Sequence, residues 1–425
     1  MPKIFIHISF FFFMITALSG LLMRVTPFVN LSFIPYGNVL HAHSHIAILG
    51  WAFLGSFLIL LAVLWPSIKN KLHSILLTIT LSITSVLMFI AFLIQGYGLY
   101  SIILSTIHIF IEYWAIIFIY QQLKIQKRRS SIGTLFIKGS LITLFISSLG
   151  PFILAYISAN QLQDSVLFDM AIYFYLHFQY NGWLTLFLIG TFLLILGQHN
   201  IHPQVPLLKR GFWIYFIALF PWYFNSILWI DLGAYSNIFA MFGSIGQWIG
   251  IFLMILGIGH AWVSYQTKLS KLTMICLTIT FILLCIKSTM ELGLIFPSLA
   301  SLVYETRSVI IGYLHLTLLG FISFFILSQY QMIKTIDITK KVVYISLIIF
   351  FSGFILNELL LFTMGLASWL ELTPVPYYFE GLLIASLLLT IGIGTLWYSI
   401  LKYDQSVFTK LESFKLPLKG REDEV

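Results

Sequence analysis

Apolar runs of helical length follow one another almost without interruption along this 425-residue chain. They fall near 4–24, 39–65, 72–97, 99–122, 134–157, 167–197, 210–231, 236–264, 271–290, 306–328, 341–364 and 381–401. A membrane-crossing helix takes about 20 predominantly apolar residues. Twelve such runs joined by short connections therefore predict an all-α polytopic bundle over residues 1–403, followed by a cytoplasmic tail over 404–425. Charged residues make up only 9% of the chain, against about 25% in a soluble domain, so lipid is the expected solvent and membrane lipid the first expected partner. The net charge of +8 does not point to nucleic acid, because the basic residues cluster in alternate connections.

With the N-terminus placed in the cytoplasm, the inner segments hold Lys3, Lys69, Lys71, Lys124, Lys127, Arg128, Arg129, Lys209, Arg210, Lys268, Lys271, Lys334, Lys340, Lys341, Lys402 and the tail cations, which is 19 of the 23 Lys and Arg. Arg24, Lys138, Lys287 and Arg307 remain, all at or near helix ends, and the outer connections carry Asp164, Asp231 and Glu371. This is the positive-inside pattern with both termini inside, as in a bacterial-type cytoplasmic membrane. The first run ends in Leu-Ser-Gly-Leu-Leu-Met-Arg without a small-x-small site, so an uncleaved first helix is expected. Cys276 and Cys285 share one apolar run and offer neither a disulfide framework nor a cysteine zinc site. No nucleotide-binding glycine motif occurs.

Ionisable or metal-ligating side chains inside a span are functional candidates. At about 1.5 Å rise per residue, His45 lies about 8 Å below the outer surface in helix two and His108 about 13 Å down helix four, with Glu112 one turn deeper. On the same scale His177 lies about 15 Å down helix six and His315 about 14 Å down helix ten. Neutral imidazole suits haem iron, copper or zinc, and a haem held by two histidines needs one from each of two facing helices. His41 and His45 share a helix face while His43 points the other way. The plain alternative is that each histidine is a polar plug bonding a neighbouring helix, and His7, His73, His199, His202 and His260 read best that way. Glu358 beside Asn357, Asn225, and the Lys287–Glu291 pair one turn apart suggest either a proton path or simple pairing.

At this level the chain resembles the haem-copper oxidase subunit I superfamily, which includes nitric oxide reductases and NnrS-like membrane proteins. The resemblance rests on about twelve spans with histidines on helices two, six and ten. It rests also on His41-Ala-His43-Ser-His45 before Leu49-Gly50-Trp51, on Tyr313-Leu-His315 before Gly320, and on His177 with Tyr180. It implies an all-helical respiratory membrane protein with a low-spin, b-type haem held by His45 (or His43) and His315. It also implies a second site near His177 and Tyr180 for copper or another metal. Three departures matter. Tyr313 stands where the family has the high-spin haem ligand, helix seven lacks the His-His pair of the copper site, and Tyr180 follows His177 by three residues rather than four.

The first expectation is thus a divergent oxidase-like protein that transfers electrons or handles O2 or NO, with a quinol or cytochrome c as redox partner. Oxidoreductase turnover stays open, because the copper ligand set is incomplete. The second is a Cu or Zn permease that captures metal at His41, His43 and His45 and relays it through His108, Glu112 and His177. The third is a cofactor-free structural subunit.

Overall fold

The computed structural model describes residues 1–30, 34–125, 131–162, 165–230 and 232–403. The expected tail over 404–425, the cations Lys127, Arg128 and Arg129, and the outer acids Asp164 and Asp231 lie outside the described residues.

Every described element is helical, as a lipid solvent requires of a chain that must satisfy its own backbone. Among the described residues, eleven helices are long and apolar enough to cross a membrane. In chain order they are α1 (Ile4–Val25), α2 (Tyr36–Ser67), α3 (Lys71–Gln95), α4 (Leu99–Ile125), α5 (Ile132–Ala159), α6 (Val166–Gln198), α8 (Ala234–Gly259), α9 (Lys271–Gly293), α10 (Arg307–Met332), α11 (Lys341–Trp369) and α12 (Tyr378–Lys402). The run expected over 210–231 folds as α7 (Val205–Trp222), closed by a tight turn at Tyr223–Ile227. It packs antiparallel along α8 through glycines that bring the two backbones together, Gly211 against Gly250 and Tyr215 against Gly250. Side-chain caps start three of the helices: Asn70 accepts from the His73 amide at 3.1 Å, Ser131 from Thr134 at 3.2 Å and Ser270 from Thr273 at 3.1 Å.

Three helices form the centre. In their most apolar windows α2, α6 and α10 are 89%, 94% and 61% buried, against 39–44% in the other eight. Buried polar bonds tie the three together: Trp51 Nε1 donates to Ser323 Oγ at 2.8 Å, Gln198 Nε2 to the Val63 carbonyl at 3.2 Å, and Gln329 Nε2 to the Leu188 carbonyl at 3.1 Å. In a lipid-facing bundle such bonds favour one arrangement, since an unpaired amide would stay desolvated.

The three central helices share a local device. Each widens to π-helical winding at or just after a histidine: Ile46–Phe53 after His45, His177–Leu184 beginning at His177, and Leu316–Ile322 after His315. A glycine sits inside each wide turn where a neighbour presses in. A Cβ at Gly50, Gly182 or Gly320 would come within 2.7 Å of Phe12, Thr143 or Phe354 respectively. Single π turns inside α-helices concentrate at functional sites. A short sequence signature accompanies it on every fourth helix, a histidine followed by glycine five residues on and an aromatic six on: His45, Gly50 and Trp51; His177, Gly182 and Trp183; His315, Gly320 and Phe321.

Candidate functional site

The two faces of the His41–His45 segment separate. His43 turns toward α1, where its Nδ1 lies 3.0 Å from Ser19 Oγ and 3.1 Å from the Thr16 carbonyl. The ring rests on Gly20, where a Cβ would meet His43 Cε1 at 3.1 Å. Ser19 donates its hydroxyl to the backbone of Ile15 or Thr16, so it and the Thr16 carbonyl both offer acceptors to Nδ1. The imidazole therefore carries its proton on Nδ1 and presents a bare Nε2. On α10, His315 repeats the arrangement: Nδ1 donates to the Ile311 carbonyl at 2.8 Å, leaving Nε2 bare. Neither Nε2 has a hydrogen-bond partner among the described residues. His43 and His315 lie within Coulombic reach of one another, and Arg24 lies within reach of both. Both residues are half-buried among α1, α2 and α10. Two imidazoles with anchored Nδ1 and unpartnered Nε2, near a guanidinium, are the donor types that an iron porphyrin bearing carboxylates would use.

Of the two expected partners for His315, this is His43 rather than His45. His45 faces away, toward α3. Its ring stacks on Phe92 at 4.2 Å between centroids, and its Nε2 lies 3.2 Å from the Tyr97 hydroxyl. His41 makes an edge contact with Tyr97 at 4.5 Å. The i, i+4 spacing puts His41 and His45 on this face, and the intervening His43 falls opposite.

His177 is fully buried and both of its nitrogens are engaged. Nε2 donates to the Leu219 carbonyl at 2.9 Å, and Nδ1 faces Asn181 Nδ2 at 3.4 Å. Beside it lies a cluster that α6, α7, α9 and α10 build together. Lys287 Nζ donates to Asn181 Oδ1 at 2.6 Å and to both Glu291 oxygens at 2.8 and 2.9 Å. The Tyr313 hydroxyl donates to Glu291, and Asn225 Nδ2 donates to the Glu291 carbonyl at 3.2 Å. The ammonium stands 5.2 Å from the Trp222 ring and 5.8 Å from each of the Tyr180 and Tyr313 rings. Lys287 thus fills the space that His177, Tyr180 and Tyr313 border.

His108 and Glu112 meet on α4 with Nε2 and Oε1 3.5 Å apart. Among the described residues no group of three or more His, Cys, Asp or Glu gathers as metal ligands, so His177, His108 and Glu112 do not share one site. Three of the five histidines read as plugs have neighbours of that kind. His7 accepts from Trp397 Nε1 at 3.3 Å, His73 from Trp114 Nε1 at 2.5 Å, and His199 Nε2 donates to the Met332 carbonyl at 3.1 Å.

Arg24, Thr16 and Ser19 escaped the sequence reading as site residues. The available signal was one arginine at the end of an apolar run that otherwise carries no charge after Lys3. No protein-family model and no curated protein matches the chain.

Proposed function

We propose that this chain is a divergent, oxidase-subunit-I-like membrane protein that holds one b-type haem between His43 and His315 and passes single electrons. The observation that carries this reading is the matched pair of imidazoles, each with Nδ1 tied to its own protein and Nε2 bare, beside Arg24. Anchored Nδ1 atoms hold the two rings in orientation and favour Nε2 as the ligand. Arg24 would face the carboxylates that a haem carries. Bound there, the haem would supply one-electron redox chemistry, its potential set by axial ligation and burial. With His43 and His315 both holding it, the haem would serve electron transfer rather than O2 or NO handling. A quinol or a cytochrome c would be the redox partner.

The reading includes twelve spans, with α7 as the seventh, and both termini on the side of the basic connections. That places Arg24, His43 and His315 toward the outer face of a bacterial-type cytoplasmic membrane.

The test is an absorption spectrum of the purified, dithionite-reduced chain, with a pyridine haemochrome assay and metal analysis on the same sample. The expected result is one low-spin b haem per chain without copper. Protein that folds and carries no haem when made in haem-replete cells would overturn the reading.

A further inference from the structure

α7 and α8 meet backbone to backbone at Gly211 and Gly250, and a groove of about 620 Å³ runs beside that contact toward the Val205 end of the pair. Ligand clefts commonly measure about 300–1,000 Å³. Pro206, Lys209, Arg210, Trp213 and Ile214 of α7 line the groove with Leu253 of α8. The five α7 positions follow i, i+3, i+4, i+7 and i+8, which is one helix face. Leu208, Gly211, Tyr215 and Ala218 form the other face and pack on α8. Lys209, Arg210, Trp213 and Ile214 are exposed, and edge contacts with Phe212 at 5.2 Å and Phe216 at 6.3 Å steady the Trp213 ring. The chain has no acidic residue between Asp169 and Asp231 or between Asp231 and Glu291. α7, α8 and the connections at this end therefore offer the two cations no carboxylate. Further along the same face Ile217 and Phe220 are 64% and 43% exposed, an apolar track from the cations toward the middle of the helix.

We infer that this face of α7 binds one phospholipid with an anionic headgroup, its phosphate on Lys209 and Arg210 and an acyl chain along Ile214, Ile217 and Phe220. The occupant must come from the bilayer, because the apolar track continues on the surface that a bundle of apolar spans turns to lipid. Its charge follows from the two unpaired cations. A guanidinium takes two phosphate oxygens in its planar fork, and an ammonium adds a point charge beside it. Trp213 joins an apolar ring to an N–H donor, the combination that suits the boundary between headgroups and chains. Basic pockets between helices at a membrane surface recognise anionic headgroups in this way. Membrane orientation needs the charges alone; the shared face, the indole and the apolar track are what a lipid requires in addition. The inference asks only that the bundle span a membrane, and it needs no haem.

The test is native mass spectrometry of the full chain in mild detergent, titrated with phosphatidylglycerol or with phosphatidylcholine of the same acyl chains. The expected result is one phosphatidylglycerol retained per chain in preference to phosphatidylcholine. Each basic residue at an anionic surface is worth about fivefold in affinity, so Lys209→Gln/Arg210→Gln should weaken phosphatidylglycerol binding about thirtyfold and leave phosphatidylcholine unchanged. Lys340→Gln/Lys341→Gln makes the same charge change at another connection and should leave both lipids unaffected. Excess inorganic phosphate should not displace the lipid, because it cannot use the apolar track. Lys209 and Arg210 are exposed, so their double variant should unfold in SDS at the parent's midpoint, and the comparison of the two lipids on the parent stands without any variant. Equal retention of the two lipids, equal loss in both double variants, or displacement by inorganic phosphate would each overturn the inference. Lipid retention is read with or without haem, so a haem-free preparation would sink the proposed function alone.

Discussion

Replacing Lys287 by methionine removes a cation from a cluster with almost no access to water, since Lys287 is 1% and Glu291 5% exposed. At the observed 2.8 Å, unit charges attract by about 6 kcal/mol gross at an effective dielectric of about 20, and desolvation of both groups offsets most of that. The net worth of the pair is therefore small, but the cost of breaking it is not. Lys287→Met leaves a carboxylate that keeps only the Tyr313 hydroxyl and neighbouring amides, and it deprives Asn181 Oδ1 of its donor. Buried pairs broken on one side lose about 3–5 kcal/mol, more than a hundredfold in the folding equilibrium. The double variant Lys287→Met/Glu291→Leu leaves no stranded charge and should recover most of that loss. Unfolding in mixed detergent and SDS micelles, run as a double-mutant cycle, should give a coupling of at least about 2 kcal/mol. Additive single effects, or a Lys287→Met protein as stable as the parent, would refute the reasoning.

His43→Ala and His315→Ala should each abolish the low-spin reduced-haem spectrum, while His45→Ala retains it; spectra of the purified variants decide. Gly182→Val should cost about 1–3 kcal/mol by overpacking, because a side chain there runs into Thr143, and the same SDS titration measures it. Asp337, in the connection between α10 and α11, accepts from the Thr339 hydroxyl at 2.6 Å and from its amide at 3.1 Å, and these bonds hold its carboxyl below the usual range. A carboxyl lowered in the folded state stabilises above its unfolded value and loses that contribution as pH falls through the folded one. Asp337→Asn should therefore lower the melting temperature slightly at pH 7, and the difference should shrink as pH falls below the usual carboxylate range.

The positions of the helices are legible in the sequence because lipid makes one demand everywhere: a long apolar run that closes its own hydrogen bonds. Each expected run has its helix, and the run over 210–231 departs most, since Pro221 and Asn225 end α7 early. The opposed faces of His43 and of His41 with His45 were equally legible, because they follow from helical spacing alone. Which face carries the site was not. That depends on Ser19 and Thr16 of α1 standing opposite Nδ1, a matter of how two helices dock. The recurring wide turns left only a short signature, His-x4-Gly followed by Trp or Phe at 45–51, 177–183 and 315–321, and that spacing alone does not say that the helix widens there.

Matched depth groups four histidines, but the use of each ring nitrogen separates them. In His177 both nitrogens are engaged, and the reason traces back to α10. With tyrosine at position 313, a hydroxyl is buried where it needs an acceptor, and Glu291 supplies one. A carboxylate at that depth needs a cation, which Lys287 provides from the preceding turn of the same helix. The ammonium needs a further acceptor and takes the side-chain oxygen of Asn181, whose amide nitrogen then faces His177 Nδ1. Tyr313, Glu291, Lys287, Asn181 and His177 thus form one connected set of buried partners. A metal bound by His177 would compete with the Asn181 and Leu219 contacts, and replacing Tyr313 by histidine alone would leave Glu291 and Lys287 in the way. At His43 and His315 no such chain of partners reaches Nε2, and there the same residue type remains available as a ligand.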